Sequence, residues 1–244
     1  MMDDAIEPPH VSLLDVVLER IQKEGKKVLL ARVVYIAKTG GKESNKTQQI
    51  SFHEELMNKV KGDSGEKVTG MLLVFPTCCV HVMEAETKIV LDILRELLHT
   101  WQQQQQAKTR VLDMVKIVSF TEDIPGRAFP TWMSAFLSSS NAGPYEAEEE
   151  AKILAMACNL NISMVKLGTL FSEMSKPQQI FALDNLKSTA GDLLPKGPEV
   201  IFGMLLSEET PTLEEFMEIY DDPINVDLDS ENVWPMAQPL KFEL

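Results

Sequence analysis

The segment VTGMLLVFPTCCVHVMEAE, residues 68–86, constrains the fold more than any other part of the sequence. Two apolar runs of strand length are separated by Pro76 and Thr77, which predicts two strands joined by a two-residue turn. His81 lies in the middle of the second strand, and Cys79 shares its face because side chains alternate along a strand. Three interpretations of His81 are open: a metal ligand beside Cys79, a contact to a cofactor, or a histidine buried in the core.

Strand and helix patterns alternate around these two strands. Residues 28–36 form an almost continuous apolar run that predicts a strand covered on both faces, and residues 52–60 place apolar side chains on one helical face. A stronger helical pattern follows Thr87, and residues 111–120 predict another strand. The order β-α-β-β-α-β predicts an α+β fold, with a ferredoxin-like sheet and two helices on one of its faces.

The sequence divides into four predicted regions. They are an N-terminal helical lead-in, the sheet domain, a helical extension and an acidic tail, at residues 1–27, 28–138, 144–206 and 207–244. Ser12 is placed to cap the lead-in helix, and Gly25 is placed to end it. The apolar run at 197–206 is too short to distinguish a strand from a helix.

The first helix of the extension, at 145–158, is predicted to bury a stripe of small and apolar residues. The stripe consists of Ala151, Leu154, Ala155 and Cys158. Because small side chains permit close docking, we expect this helix to lie on the open face of the sheet. That face is also the one through which two copies of the chain could pair, and both arrangements are open.

Charge and composition limit the classes of partner. The chain has a net charge of −14, from 37 acidic and 23 basic residues, which repels nucleic acid and anionic membrane surfaces. We expect a cytoplasmic protein, because the N-terminus lacks the pattern of a signal peptide and no apolar run has the length of a membrane span. The three cysteines are too few for a disulfide framework, which is typical of a reducing compartment.

Motifs for catalysis and metal binding are missing from the sequence. It contains no P-loop, dinucleotide fingerprint or nucleophile elbow, so we predict no enzymatic activity. Cys79 and His81 supply two possible metal ligands, but His53, His99 and Cys158 do not follow the spacing of a zinc site. No metal is predicted.

Residues 28–138 carry several motifs that belong together. They are Tyr35 on the first strand, Thr69-Gly70 opening the second, Met83-Glu84-Ala85 on the third, and Phe129-x-x-Trp132 in a later segment. This set resembles the BLUF domain, a flavin-binding blue-light sensor. The resemblance implies a flavin pocket, and the corresponding positions in this chain are Tyr35, Asp63, His81, Trp132 and Met133.

Two of these positions differ from the family. Asp63 and His81 stand where BLUF domains have an asparagine and a glutamine, whose amides donate and accept hydrogen bonds at once. An ionised aspartate only accepts, so a flavin carbonyl facing it would be left unsatisfied at a cost of about 1–3 kcal/mol. We therefore expect no cofactor. The alternative is a retained FAD in a blue-light or redox sensor, with Tyr35 as electron donor and His81 relaying the hydrogen bond.

The tail combines acidic residues with aromatic anchors. Thr212 is placed to cap a short amphipathic helix, and four aromatic residues are the predicted partner-binding positions. These are Phe216, Tyr220, Trp234 and Phe242. Such anchors dock either on the parent domain or in the groove of a partner, and both remain open.

The whole chain, with its lead-in helix, BLUF-like centre and acidic helical tail, resembles the mammalian testis-expressed protein forty-seven family. That resemblance implies a non-catalytic role in male germ cells or the sperm flagellum, with partners among axonemal proteins. We therefore predict a protein-interaction or structural component rather than an enzyme.

Overall fold

Five strands form one sheet in the order β4-β1-β3-β2-β5. Their bounds are β1 (Leu30–Thr39), β2 (Thr69–Val74), β3 (Cys78–Glu86), β4 (Leu112–Thr121) and β5 (Trp132–Phe136). All neighbouring pairs are antiparallel except β2 and β5, which are parallel. The order of the first four strands is that of a ferredoxin-like sheet, so the predicted fold class is confirmed.

This computed structural model describes residues 11–26, 28–40, 46–61, 67–104, 110–138 and 150–221, apart from the side chains of Leu14 and Lys61. Within these ranges the α-helices are α1 (Leu13–Lys23), α2 (Lys46–Lys61), α3 (Thr87–Gln104), α4 (Glu150–Ser172), α5 (Lys176–Asp184), α6 (Leu186–Ala190), α7 (Pro198–Leu206) and α8 (Leu213–Tyr220). The run at 197–206 is therefore helical, and Pro198 stands in its first turn, where a missing N–H costs nothing.

Helices cover both faces of the sheet and enclose two cores. The α2 face is covered by α2, α3 and α8, and the α4 face is covered by α4 and α7. Alternation along β3 supplies both cores: Cys79 and His81 point to the α2 face, whereas Cys78 and Val80 point to the α4 face. The sheet is thus the middle of three layers.

The α4 helix lies on the predicted face of the sheet, but the predicted buried stripe is wrong. Leu154 is 65% exposed and Cys158 is exposed. The side chains that α4 buries are bulkier, and they are Ile153, Leu160, Met164, Leu167 and Phe171. The helix has two apolar faces, and the bulkier one removes more apolar area from water when it packs. A predicted helix boundary near residue 160 is also absent, because α4 continues without a break to Ser172.

By length and composition α4 could cross a membrane, and it is the one helix of the described residues that meets this criterion. Its bulky face packs on the sheet, as the covering helix of a globular domain does. Gly168 permits this close approach, since a Cβ atom there would lie 2.8 Å from the ring of Phe129.

The α1 helix begins and ends as the sequence predicts. Ser12 and Asp15 form a capping box, and Gly25 adopts a φ of +64° two residues after the last helical residue. Ion pairs tie the helix to the loop after β4, with Asp123 accepting from Arg20 at 3.1 Å and from Lys26 at 2.5 Å.

Candidate functional site

A hydrogen-bonded chain of three side chains lies on the α2 face of the sheet. Tyr35 on β1 and His81 on β3 are direct cross-strand partners, and Trp132 begins β5. The Trp132 Nε1–H donates to His81 Nε2 at 2.9 Å, and His81 Nδ1 lies 2.8 Å from the Tyr35 hydroxyl. Tyr35 and His81 are fully buried, whereas Trp132 is half-buried. The structure therefore brings three of the predicted pocket positions together in one cluster.

The partners of His81 fix its protonation. An indole N–H only donates, so Nε2 must accept, and the single proton of the neutral ring resides on Nδ1 and is donated to Tyr35. Burial, together with the neighbouring His53, holds the pKa of His81 well below its ordinary value. His81 is a neutral imidazole with both nitrogens engaged.

A second buried histidine, His53 on α2, packs against the first. Its ring is 4.9 Å from that of His81 at 87°, and 6.2 Å from that of Tyr35 at 18°. Nδ1 lies 2.6 Å from the backbone oxygen of Gln49 and donates to it, which leaves Nε2 as a buried acceptor with no partner among the described residues. Burial lowers the pKa of His53 to about 4. His53 thus fills the space between α2 and His81 with an uncharged ring.

Sequence reasoning did not include Gln49 and His53 in the site. Both are fully buried, and the Gln49 amide donates to the backbone oxygen of Val111 at 2.9 Å. A usable signal was present, since Gln49, His53 and Leu56 are spaced by four and three residues and share one helical face. Two polar residues at the start of an otherwise apolar stripe indicate a polar cluster inside the core.

The described surroundings of His81 do not favour its interpretation as a metal ligand. Cys79 shares the face of His81, but both ring nitrogens already have hydrogen-bond partners. Burial raises the pKa of Cys79 far above its usual range and that of Cys78 to about 12, so both thiols are protonated. The described part of the chain contains no group of three or more His, Cys, Asp or Glu side chains that could hold a metal ion.

Of the two other predicted pocket residues, the structure describes only Met133. Met133 follows Trp132 on β5 and therefore points to the opposite face, where it packs in the core under α4. Asp63 lies outside the described residues.

The Met83-Glu84-Ala85 motif forms an ionic centre on the α4 face. The fully buried Glu84 carboxylate accepts from Arg32 Nη2 at 2.7 Å, from Thr69 Oγ1 at 3.1 Å and from the backbone N–H groups of Ala128 and Phe129 at 3.0 and 3.1 Å. These bonds fasten the loop before β5 to the middle of the sheet. Glu84 thereby positions Trp132, which follows Phe129 by three residues.

The presence of glycine in the Thr69-Gly70 motif has a steric explanation. Gly70 has a φ of +144°, and a Cβ atom there would lie 2.0 Å from the backbone oxygen of Val82. Only glycine permits this approach of β2 to β3.

The described aromatic residues of the tail pack on the chain's own sheet. Phe216 and Tyr220 on α8 lie 5.4 and 4.8 Å from the ring of Phe120 on β4, measured between ring centroids. Phe216 is half-buried, and Tyr220 is 39% exposed. Trp234 and Phe242 lie outside the described residues.

Comparison with known proteins gives one family match and several similar solved structures. The model of the family described as testis-expressed protein 47 matches residues 29–222, which is more than half of the chain. A bacterial light-regulated adenylyl cyclase is 18% identical, with a TM-score of 0.34, over 64% of this chain and 40% of its own. The chain therefore spans less than half of that cyclase.

Two smaller proteins are similar over most of their length. The BLUF domain of BlrP1 is 13% identical, with a TM-score of 0.33, over 68% of this chain and 93% of its own. BlrB, a BLUF protein in its dark state, is 15% identical, with a TM-score of 0.32, over 65% of this chain and 94% of its own.

Proposed function

The chain belongs to the testis-expressed protein 47 family, and from this premise we propose that it is a non-catalytic interaction or structural component built on a BLUF-like domain without flavin. We propose the sperm flagellum or axoneme as its setting and other proteins as its partners. The expression that the family name describes supports a role in male germ cells.

The engagement of His81 is the observation that carries this proposal. A flavin edge bound at this position would compete with Trp132 for Nε2 or with Tyr35 for Nδ1. Displacing either one leaves a buried polar group without its partner, which costs about 1–3 kcal/mol. The ring of His53, at 4.9 Å, closes the helix side of the same position. These contacts support a pocket that has been converted into core.

The absorbance of the purified full-length protein tests the absence of flavin. We expect a colourless protein that releases no flavin on acid extraction and leaves the fluorescence of added FAD unchanged. The variant His81→Gln restores the amide of the BLUF pattern, and His99→Gln on the exposed surface of α3 is its matched control. A yellow wild-type protein carrying FAD in near-stoichiometric amount would overturn the flavin-free assignment.

One observation favours the alternative of an FAD-dependent sensor. His53 Nε2 is a buried acceptor without a partner among the described residues, and a ring N–H of flavin is a donor of the kind that it lacks. In that alternative Tyr35 donates the electron and His81 relays the hydrogen bond. A light-minus-dark difference spectrum of the FAD-saturated protein distinguishes it, because an inert pocket gives a flat difference.

The interaction role has its own test. Affinity purification of the tagged full-length protein from testis, together with immunolocalisation in mature sperm, should recover other proteins and label the flagellum. Recovery of the chain alone, with no partner above a mock purification, contradicts the interaction role whether or not flavin is bound.

A further inference from the structure

The α8 helix is attached to the domain mainly through its side chains. The segment before it, residues 207–212, runs past the edge of β4 and forms one isolated bridge there, in which the Ile117 N–H donates to the Pro211 oxygen at 2.9 Å. Of the eight residues of α8, Leu213 and Met217 are buried, and they enter the apolar core of the α2 face. The helix therefore occupies a surface groove between α3 and β4.

Charged side chains hold both ends of this attachment. At the C-terminal end, the Asp221 carboxylate accepts from Nε and Nη2 of Arg95 on α3 at 2.6 and 2.5 Å. Arg95 also contacts Asp92 on its own helix. At the N-terminal end, the Lys116 ammonium on β4 donates to the backbone oxygen of Ser207. The groove thus presents a cation to each end of α8.

The pattern of α8 defines the kind of helix that the groove accepts. Leu213, Met217 and Asp221 recur every four residues, so two apolar anchors and a carboxylate lie on one side of the helix. The charge of Glu215 attracts Lys116, as that of Asp221 attracts Arg95. The groove therefore suits an acidic amphipathic helix that lays its apolar stripe between α3 and β4.

The groove is wider than the helix that occupies it. A cleft of about 720 Å³ remains between α3 and α8, and its lining includes Leu98 and Gln102 of α3 and Glu218 of α8. On the outer side of α8, Ile219 is 85% exposed. A longer helix, or one with bulkier anchors, would remove more apolar surface from water than α8 does. Such a helix can therefore compete with α8 for the groove.

We propose that α8 is an internal ligand of this groove and that a partner protein displaces it with an acidic amphipathic helix of the same pattern. That pattern is two apolar anchors four residues apart and a carboxylate four residues further on. The proposal rests on the interaction role proposed above and names the class of partner for it. Displacement also separates Phe216 and Tyr220, two of the predicted partner-binding positions, from Phe120.

Fluorescence anisotropy of a labelled peptide of residues 207–221, added to the full-length protein, tests the proposal. In the wild type the attached α8 competes at a high effective concentration, so the peptide binds weakly. Met217→Gln keeps a good helix-forming residue but removes an apolar anchor from the attached helix. We expect it to tighten peptide binding about tenfold. Ile219→Gln, on the exposed side of the same helix, is the matched control and should leave peptide binding unchanged.

A second set of variants leaves the apolar core intact. Asp221→Asn removes the carboxylate that binds Arg95 and should tighten peptide binding about threefold. In the Met217→Gln background, Arg95→Gln removes the cation from the groove and should weaken peptide binding by about the same factor. Lys88→Gln, on the exposed surface of α3, is the control for that loss of charge.

Three outcomes overturn the proposal. The first is equal peptide affinity in the wild type, Met217→Gln and Asp221→Asn. The second is a peptide carrying Leu213→Gln and Met217→Gln that binds as tightly as the wild-type peptide. The third is a wild-type dimer that the peptide dissociates, because the occupant is then α8 of a second copy. Purified protein and peptide are sufficient for these measurements, so failure of the groove is distinguishable from failure to recover partners from testis.

Discussion

The two faces of the sheet are built on different principles. The α2 face encloses polar side chains that bond to one another, with Tyr35, His53 and His81 fully buried and uncharged. Under α4, the core is a bulky apolar layer with an ionic centre at Glu84, where the loop before β5 is attached. The two faces therefore differ in how they satisfy their buried polar groups.

That difference teaches how a protein core accommodates buried polar side chains. A network of buried polar groups is tolerated only when its members satisfy one another. In the chain Trp132–His81–Tyr35 both ring nitrogens of His81 have partners, whereas Nε2 of the neighbouring His53 has none among the described residues. The α2 face therefore combines a buried polar cluster with the packing of a core.

Breaking the ionic centre on the α4 face should have the largest effect. Glu84→Ala leaves the Arg32 guanidinium, whose side chain is 12% exposed, without its carboxylate, and it deprives two backbone N–H groups of their acceptor. We expect a loss of about 3–5 kcal/mol in the free energy of unfolding, measured by urea denaturation. Glu86→Ala, two residues along the same strand and half-buried, is the control. A loss below about 1 kcal/mol for Glu84→Ala contradicts a structural role for this centre.

Acid should weaken the α2 face selectively. Since the pKa of folded His53 is lowered from 6.5 to about 4, the unfolded chain binds a proton that the folded chain does not. The contribution of His53 to the free energy of unfolding is fully present above pH 6.5 and is lost as the pH falls towards 4. The loss is about 1.4 kcal/mol per pH unit for one histidine and about 3 kcal/mol between pH 6.5 and pH 4. His81 adds to this in the same direction.

Denaturant titrations between pH 7 and pH 4 measure the slope of the free energy of unfolding against pH. His53→Gln should reduce it, and His99→Gln, on the exposed surface of α3, should not. If both variants keep the wild-type slope, His53 does not have the depressed pKa that its burial implies.

Removing the indole donor should have an intermediate effect. Trp132→Phe keeps an aromatic ring but leaves His81 Nε2 without its donor, so we expect a loss of about 1–3 kcal/mol. Trp101→Phe is matched, because that half-buried indole donates at 3.3 Å to a single backbone oxygen, of Asp113. We expect about 1 kcal/mol there. Equal losses in the two variants indicate that the polar cluster is energetically an ordinary part of the core.

The sheet and its helices were predictable because local signals agreed with the global fold. The runs around His81 and Tyr35 are apolar enough for two-sided burial, and Ser12 and Thr212 both form the capping boxes that their sequences indicate. The fifth strand was not predicted, since residues 132–136 are too few for a periodic pattern and pair in parallel with a distant strand. Tertiary placement of this kind also brings Trp132 to His81, which spacing in the sequence does not reveal.

For a related reason, the sequence could not predict which of the two faces of α4 is buried. Periodicity identifies which residues share a face, but when both faces are apolar it does not say which one meets the sheet. The stripe with Leu154 and the stripe with Leu160 both have helical spacing, and only the latter is buried.

The smallest expected effect follows from this assignment. Leu154→Ala removes an exposed side chain and should change the free energy of unfolding by less than about 0.5 kcal/mol. Leu160→Ala, six residues later on the same helix and buried against the sheet, should cost about 2–5 kcal/mol. Thermal and urea denaturation of the pair measure the contrast. Should Leu154→Ala cost as much as Leu160→Ala in the isolated protein, the outward face of α4 is covered after all, and the apolar layer on this side of the sheet extends further than the described contacts indicate.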